Sequence, residues 1–454
     1  MIRRILIANR GEIAARIIRT CSALGIETVL AASDADVEST PARMADRTVR
    51  IGPGPSPMSY LNVDAVVRAA VAVRADAVHP GYGFLSENAR LARACVAAGV
   101  VFVGPTPKHL DAVGDKLTAR SHAVAAGLPR LPGGEVSSAA EAQRMAHAVG
   151  WPLLVKAVAG GGGRGLRVVE SSAELAAAID EASAEAGAAF GDSRLYLERF
   201  VPHGRHVEVQ LLGDGRQVIH VGDRDCSVQR RYQKLVEEAP APGLPGDLRS
   251  RLHTAAVALA RRLRYRGLGT VEFLVEPERD AFWFLEMNAR IQVEHPVTEA
   301  LTGLDLVAEQ LHVADGHGLR LAQEDVVVSG HAVECRINAE DPAQGWRPSP
   351  GVVDQVAFPV GAGVRVDSHI QPGSAVPPFY DSLLAKVIAH GPDRPAALGT
   401  MLEALRRTTI DGVATNIEFH VGVLGSPEFQ VGGVDTGFLA RHLNRLPETV
   451  ARRG

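Results

Sequence analysis

Glu272 stands inside Val271-Glu272-Phe273-Leu274, an apolar run in which a carboxylate is out of place. Glu286 follows a second such run, Phe282-Trp283-Phe284-Leu285, and opens the stretch Glu286-Met287-Asn288-Ala289-Arg290-Ile291-Gln292-Val293-Glu294, where polar and apolar residues alternate without a break. In an extended chain that alternation puts five polar groups on one side. An ordinary half-exposed strand alternates in the same way. The flanking runs, however, are apolar on both faces and predict buried strands, where two carboxylates are costly unless neutralised. Mg²⁺ neutralises them, since it prefers a few carboxylate or amide oxygens beside substrate phosphates. Glu272, Glu286 and Asn288 are therefore expected metal ligands. Arg290 is left to bind an anion and Glu294 to act as base.

Other clusters carry weaker signals. Gly160-Gly161-Gly162-Gly163-Arg164-Gly165 is either a flexible hairpin tip or a cradle whose backbone N–H groups wrap an anion. Lys156, on the strand leading in, favours nucleotide phosphates. No GxxxxGK[ST] loop and no GxGxxG fingerprint occurs. His79-Pro80-Gly81-Tyr82-Gly83-Phe84-Leu85-Ser86-Glu87-Asn88 reads as a glycine-rich turn at a strand's C-terminal end, where open α/β sheets place ligands, or as a structural turn alone. Asp225 to Lys234 packs hydrogen-bonding and cationic groups closely, as a solvated basic face also would. Cys226 within it lacks a nucleophile's partners and reads as a buried thiol. Lysine is scarce: of 48 basic residues only Lys108, Lys116, Lys156, Lys234 and Lys386 are lysine. Under such a bias towards arginine, a retained lysine marks a place that needs a compact ammonium or is retained by chance.

These residues must be positioned by two or three domains, which 454 residues can fill with ample core. Strand Arg4–Ala8, a helix begun by Asn9-Arg10-Gly11-Glu12, strand Thr28–Ala31, helix Val63–Ala72, strand Ala77–His79, helix Ser86–Ala98 and strand Val100–Val103 predict a parallel, doubly wound sheet over residues 1–114. A lid is expected over 131–203, with strand Trp151–Val155, the glycine hairpin, strand Leu166–Val169 and a helix to about Ala189 opened by a Ser171/Glu174 capping box. Beyond Gly330 a mixed third domain is expected, ending in the helix Pro395–Arg407. The net charge of -4 gives no hint of a nucleic-acid or membrane partner. Four scattered cysteines form no CxxC pair and fit reduced thiols in a cytoplasm, and no apolar run reads as a signal peptide or membrane span.

Taken together the motifs resemble the biotin carboxylase family over about residues 1–447. They match in order: Ile7–Ile13, His79–Asn88, Gly114-Asp115-Lys116, Arg224–Lys234 with Val236–Pro240, Glu286–Thr298 and Ala332–Pro342. The resemblance implies an ATP-grasp fold in three parts: a Rossmann-like N-terminal domain (1–114), an ATP-grasp domain (115–330) with its lid, and a mixed α+β C-terminal domain (331–447). It implies that Lys116, Lys156, Gly162, Gly163, Glu198, His206 and Gln229, with Glu272 and Glu286, bind ATP. It further implies that Glu272, Glu286 and Asn288 hold Mg²⁺ or Mn²⁺, and that Lys234, Arg290, Gln292, the Val293 backbone and Glu294 hold bicarbonate. Tyr82 and Arg336 would contact biotin. The implied catalytic set is Arg290, Glu294, Lys234 and Arg336: bicarbonate deprotonated by Glu294 attacks the γ-phosphate, and CO₂ released from carboxyphosphate is captured by biotin whose enolate Arg336 stabilises.

Biotin would arrive on a separate biotin carboxyl carrier protein, since none of the five lysines has the setting of an attachment site. Carboxyltransferase subunits, a homodimer and a cytoplasmic location are also implied, as for an acetyl-CoA or other acyl-CoA carboxylase. Three positions depart from the family pattern: Tyr232 where His is frequent, Val158-Ala159 where Ser-Gly is common, and a slightly longer turn at Gln344–Arg347. Another ATP-grasp carboxylate ligase would share the lid and the two glutamates but would lack Tyr82, Lys234 and Arg336 together. A non-catalytic ATP-binding module would have lost one of Glu272, Glu286, Arg290 or Glu294.

Overall fold

The computed structural model describes residues 1–158 and 166–443, so Gly162, Gly163 and the rest of the glycine loop lie outside the described residues. The first part is a five-stranded parallel sheet made of β1 (Arg4–Ile7), β2 (Glu27–Ser33), β3 (Arg47–Gly52), β4 (Ala77–His79) and β5 (Val101–Phe102). Its spatial order is β3-β2-β1-β4-β5. The helix Gly11–Ala23 crosses between β1 and β2, as a parallel pair requires. Strand β3 was not anticipated, because this edge strand is largely exposed and alternates polar residues without an apolar run. The helix expected from Ser86 begins only at Ala89, where the Asn88 side chain accepts the Leu91 N–H as a cap.

Residues 133–199 carry a small core of their own, with Val136, Leu153, Val155, Leu175, Ile179 and Leu197 packed together. Here β6 (Gly133–Val136), β7 (Leu153–Ala157), β8 (Leu166–Val169) and β9 (Leu195–Arg199) form an antiparallel sheet in the order β6-β9-β7-β8. The helix Ser172–Phe190 begins where expected, but the capping box does not form. The Ser171 hydroxyl donates to the Glu174 carboxylate at 2.9 Å instead of accepting a helix N–H.

The long strands build one eight-stranded antiparallel sheet. Its members are β10 (Arg205–Asp214), β11 (Val218–Arg230), β12 (Gln233–Ala239), β13 (Arg266–Glu276), β14 (Ala281–Asn288), β15 (His331–Asn338) and the strands Val364–Ser368 and Leu383–Gly391. The order is β14-β13-β10-β11-β12-β15, then Leu383–Gly391, then Val364–Ser368. The β12–β15 ladder pairs Val236 with Cys335 and Ala239 with Ala332, so hydrogen bonding continues across the boundary expected near residue 330.

Two further expectations need correction. Strand β14 is the sheet's edge rather than a buried strand: Phe282, Trp283 and Leu285 are half-buried and Glu286 is exposed. Its apolar run is covered from outside by cations, with Arg199 lying 5.1 Å from the Trp283 ring and Arg251 5.9 Å from Phe282. The chain also does not end its helices at Arg407. After Arg394–Arg407 come Ile417–Leu424, Pro427–Val431 and Phe438–Leu443, each short and separated by Gly, Ser or Pro, which breaks the periodicity that announces a helix. The longer turn at Gln344–Arg347 buries Trp346 against Phe419, with ring centroids 4.6 Å apart. No helix among the described residues is long and apolar enough to cross a membrane.

Candidate active site

Four strands contribute one charged row. In register across β11, β10, β13 and β14 stand Arg224, Glu208, Glu272 and Glu286. Directly opposed like charges repel, so three adjacent carboxylates need cations. Arg224, fully buried, donates to Glu208 at 2.5 Å, to Gln210 at 2.8 Å and to Thr298 at 2.9 Å. Lys234, on β12, reaches Glu208 at 2.7 Å, Glu272 at 2.8 Å and Glu294 at 2.7 Å. One ammonium thus gathers carboxylates from two strands and a turn. Removing it would break three buried pairs at once and leave Glu208 to Arg224, Glu272 to His206 and Glu294 to Arg336.

The alternating stretch does not run on as a strand. Strand β14 stops at Asn288, and residues 289–294 turn into the helix His295–Thr302, with Pro296 in its first turn. Met287, Ala289 and Ile291 are nevertheless buried, and the polar residues between them converge. The Asn288 amide donates to Glu272 at 2.8 Å, Gln292 donates to the same carboxylate at 3.4 Å, and Arg290 donates to Asn288 at 3.2 Å and to Gln292. Arg290 is also held from the first domain, where Glu87 accepts its Nε–H at 3.0 Å and the Ala289 N–H at 2.9 Å.

Glu294 is buried between Lys234 and Arg336, the latter at 2.9 Å. Burial alone would raise its carboxyl, but Lys234, Arg336 and Arg224 hold it well below the usual carboxylate range. Glu272 is held low in the same way by Lys234 and His206, whose Nε2 is 2.9 Å away. Arg336, on β15, also donates to the fully buried Glu237 of β12 at 2.6 Å. There burial dominates, and the Glu237 carboxyl is pushed up to about 7.

The other expected residues fall around this centre. The Gln229 amide lies 2.7 Å from His206 Nδ1. Lys156 pairs with Glu198 across the lid sheet, and Arg120 reaches the other Glu198 oxygen at 3.1 Å. Lys116 opens the helix Lys116–Ala125 and feels Glu286, Lys156 and Glu198, although burial lowers its proton affinity most. Tyr82 donates to Glu12 beside a cleft of about 100 Å³ lined by Asn9, Arg10, Phe84 and Asp381. Arg336 does not line that cleft. Tyr232 sits at the tip of the turn from β11 to β12 with φ of 64° and its ring exposed.

For a metal, the closest gatherings of ligand atoms among the described residues are His206/Glu208/Glu272 and Glu208/Cys226/Glu294, each within 4.8 Å. Neither includes Glu286. Glu272 and Glu286 do face each other across the β13–β14 ladder, the outer one open to solvent, and that pairing suits a divalent ion shared with phosphate oxygens. Glu208 lies outside every motif read from the sequence, and Glu87, Arg224 and Glu237 lie inside such motifs without being given a role. Glu208 in Val207-Glu208-Val209 carries the signal that exposed Glu272, a lone carboxylate on an apolar strand, whereas Glu237 is followed by Glu238 and does not. Glu87, on an exposed turn, has no such signal.

Known proteins match this chain along its length. Residues 1–110 match the family described as biotin carboxylase, N-terminal domain; 115–322 match carbamoyl-phosphate synthase L chain, ATP binding domain; 334–441 match biotin carboxylase C-terminal domain. A biotin carboxylase of Pseudomonas aeruginosa is 49% identical over 98% of this chain and 99% of its own. One from Nostoc is 48% identical over 96% and 98%. Among solved structures, the biotin carboxylase domain dimer of Hydrogenobacter thermophilus 2-oxoglutarate carboxylase, in complex with MgADP, ADP and bicarbonate, is 42% identical over 98% of both chains with a TM-score of 0.94. A biotin carboxylase–β,γ-ATP complex from Campylobacter jejuni has the same identity and TM-score over 97% and 99%.

Proposed function

The chain belongs to the biotin carboxylase family, and from that premise we propose that it carboxylates biotin with ATP and bicarbonate, on a carrier protein separate from itself. The observation that carries this reading is Lys234 bound to Glu208, Glu272 and Glu294 at once, beside Arg290 and Arg336. That is a cationic pocket with a base in it, set against a paired-carboxylate site for metal and phosphate.

In the proposed division of labour, Lys116, Lys156, Glu198, His206 and Gln229 bind ATP together with the glycine loop. Glu272, Glu286 and Asn288 would hold Mg²⁺, which neutralises charge on the phosphates and polarises the γ-phosphoryl group. Lys234, Arg290, Gln292 and the Val293 backbone orient bicarbonate, and Glu294 takes its proton. The bicarbonate oxygen then attacks the γ-phosphorus, ADP leaves, and carboxyphosphate forms. Carboxyphosphate releases CO₂ and phosphate; phosphate accepts the N1′ proton of biotin, and N1′ bonds to CO₂. Arg336 stabilises the oxygen of the ureido enolate, and Tyr82 contacts biotin from the other side. Residues 131–203 would close over the nucleotide, since carboxyphosphate is destroyed by water.

The three matched regions support a division at about 114 and 330, and the separate core and four-stranded sheet within 133–199 support a lid over 131–203. The protein would act as a homodimer in the cytoplasm and pass carboxybiotin to a carboxyltransferase acting on acetyl-CoA or another acyl-CoA. In the test, ATP cleavage by purified protein is followed with and without bicarbonate. Cleavage is expected to need bicarbonate and to accelerate with free biotin. ATP cleavage indifferent to bicarbonate removal would overturn the reading.

A further inference from the structure

Lys386, like Lys156, interrupts a wholly apolar run by sequence, Leu383-Leu384-Ala385-Lys386-Val387-Ile388-Ala389. In the fold it is fully buried on the strand next to the sheet's edge, paired with Arg336 on one side and Asp367 on the other. A charge there is costly unless its partners are well placed. Its ammonium donates to the Val293 carbonyl at 2.8 Å and lies 3.1 Å from Glu12 Oε1, the same oxygen that accepts the Tyr82 hydroxyl. Beneath it on β15 lies Glu334, also fully buried, whose carboxylate oxygens meet no hydrogen-bond donor among the described residues. Three separate segments therefore converge on one ammonium: the helix Gly11–Ala23, the turn 289–294 and the sheet. In a chain whose other basic residues are almost all arginine, this enclosed corner keeps the compact cation rather than the planar fork.

We propose that Lys386 is a positioning residue: by holding the Val293 carbonyl and the Glu12 carboxylate together, it fixes the turn that carries Glu294 relative to Tyr82. This rests on the reading of Glu294 as base and Tyr82 as a biotin contact. Val293 immediately precedes Glu294, so releasing its carbonyl frees the base. Releasing Glu12 frees the Tyr82 hydroxyl. The nucleotide residues of the lid lie on other elements and gain nothing from either bond.

The test uses the full chain and two variants. Lys386→Met removes the ammonium at similar volume. Lys386→Met with Glu12→Gln keeps the local charge balanced and covers the case in which the single variant does not fold. Biotin-dependent ATP cleavage is expected to fall roughly ten- to hundredfold, as a small misplacement of reacting groups does. The KM for bicarbonate should rise while the KM for ATP stays within about twofold, a split that general loss of structure would not produce. Folded variants with rate and bicarbonate KM like the unmodified chain would overturn the proposal, as would loss of ATP affinity in step with rate. Failure of both variants to fold would overturn it too, making Lys386 a folding residue. An unmodified chain without bicarbonate-dependent cleavage, run alongside, would identify failure of the functional reading instead.

Discussion

A carboxylate gripped by Lys234 and Arg336 is ionised throughout the working pH range, so protonation of Glu294 does not govern turnover from the acid side. Its own role is tested by Glu294→Gln, which keeps the shape and removes the base. Biotin-dependent turnover should fall by about 10²–10⁴ with ATP affinity nearly unchanged, as for loss of a general base. Equal loss of affinity and rate would show that the residue only holds structure. The group that titrates nearer neutrality is Glu237, raised by burial to about 7 from an unfolded value of about 4.3. Between those values the folded chain holds this proton more tightly than the unfolded chain does. Glu237 alone therefore makes stability decline as pH rises through that window, while Arg336 gains its second ionised partner. The biotin-dependent rate should thus climb with pH through about 7, and Glu237→Gln should remove that limb while leaving the KM for ATP unchanged. A limb that survives the substitution assigns the titration elsewhere.

At the scale of elements, the sequence was most legible where a lone charge interrupts an apolar strand. Glu272 stood out for that reason, and Glu208, its partner on β10, carries the same mark. The helix Val63–Ala72 and strand Ala77–His79 were found with their observed bounds, because caps and apolar periodicity agree there. What escaped was partnership at a distance. Nothing local distinguishes a central strand from the edge strand β14, whose apolar side chains are shielded by Arg199 and Arg251 from elsewhere in the chain. The alternation over 286–294 forecast a shared polar side, yet the chain achieves it through a turn rather than an extended run. Side-chain periodicity reports which residues meet, not always the backbone path that brings them together. The Arg336–Glu237 and Arg290–Glu87 pairs, 99 and 203 residues apart, are invisible to any local pattern.

For the whole molecule, the eight-stranded sheet makes one body of regions that family matching divides at about 330. Trp283 on β14 and Trp346 beyond β15 lie on opposite sides of that division. Unfolding in urea, followed by fluorescence in chains that keep only Trp283 or only Trp346, with Trp151 and the other tryptophan replaced by Phe, should give coincident midpoints, as a cooperative unit does. Separate midpoints would mean that the β12–β15 ladder does not couple the halves. The first domain joins differently, partly through Glu87, a carboxylate on an exposed turn that clasps both the Arg290 side chain and the neighbouring Ala289 N–H. An engineer exchanging residues 1–114 for those of another carboxylase would therefore be replacing part of the anion pocket. The success of such a graft depends on whether the incoming turn offers a carboxylate at that spot, however faithfully its parallel sheet is reproduced.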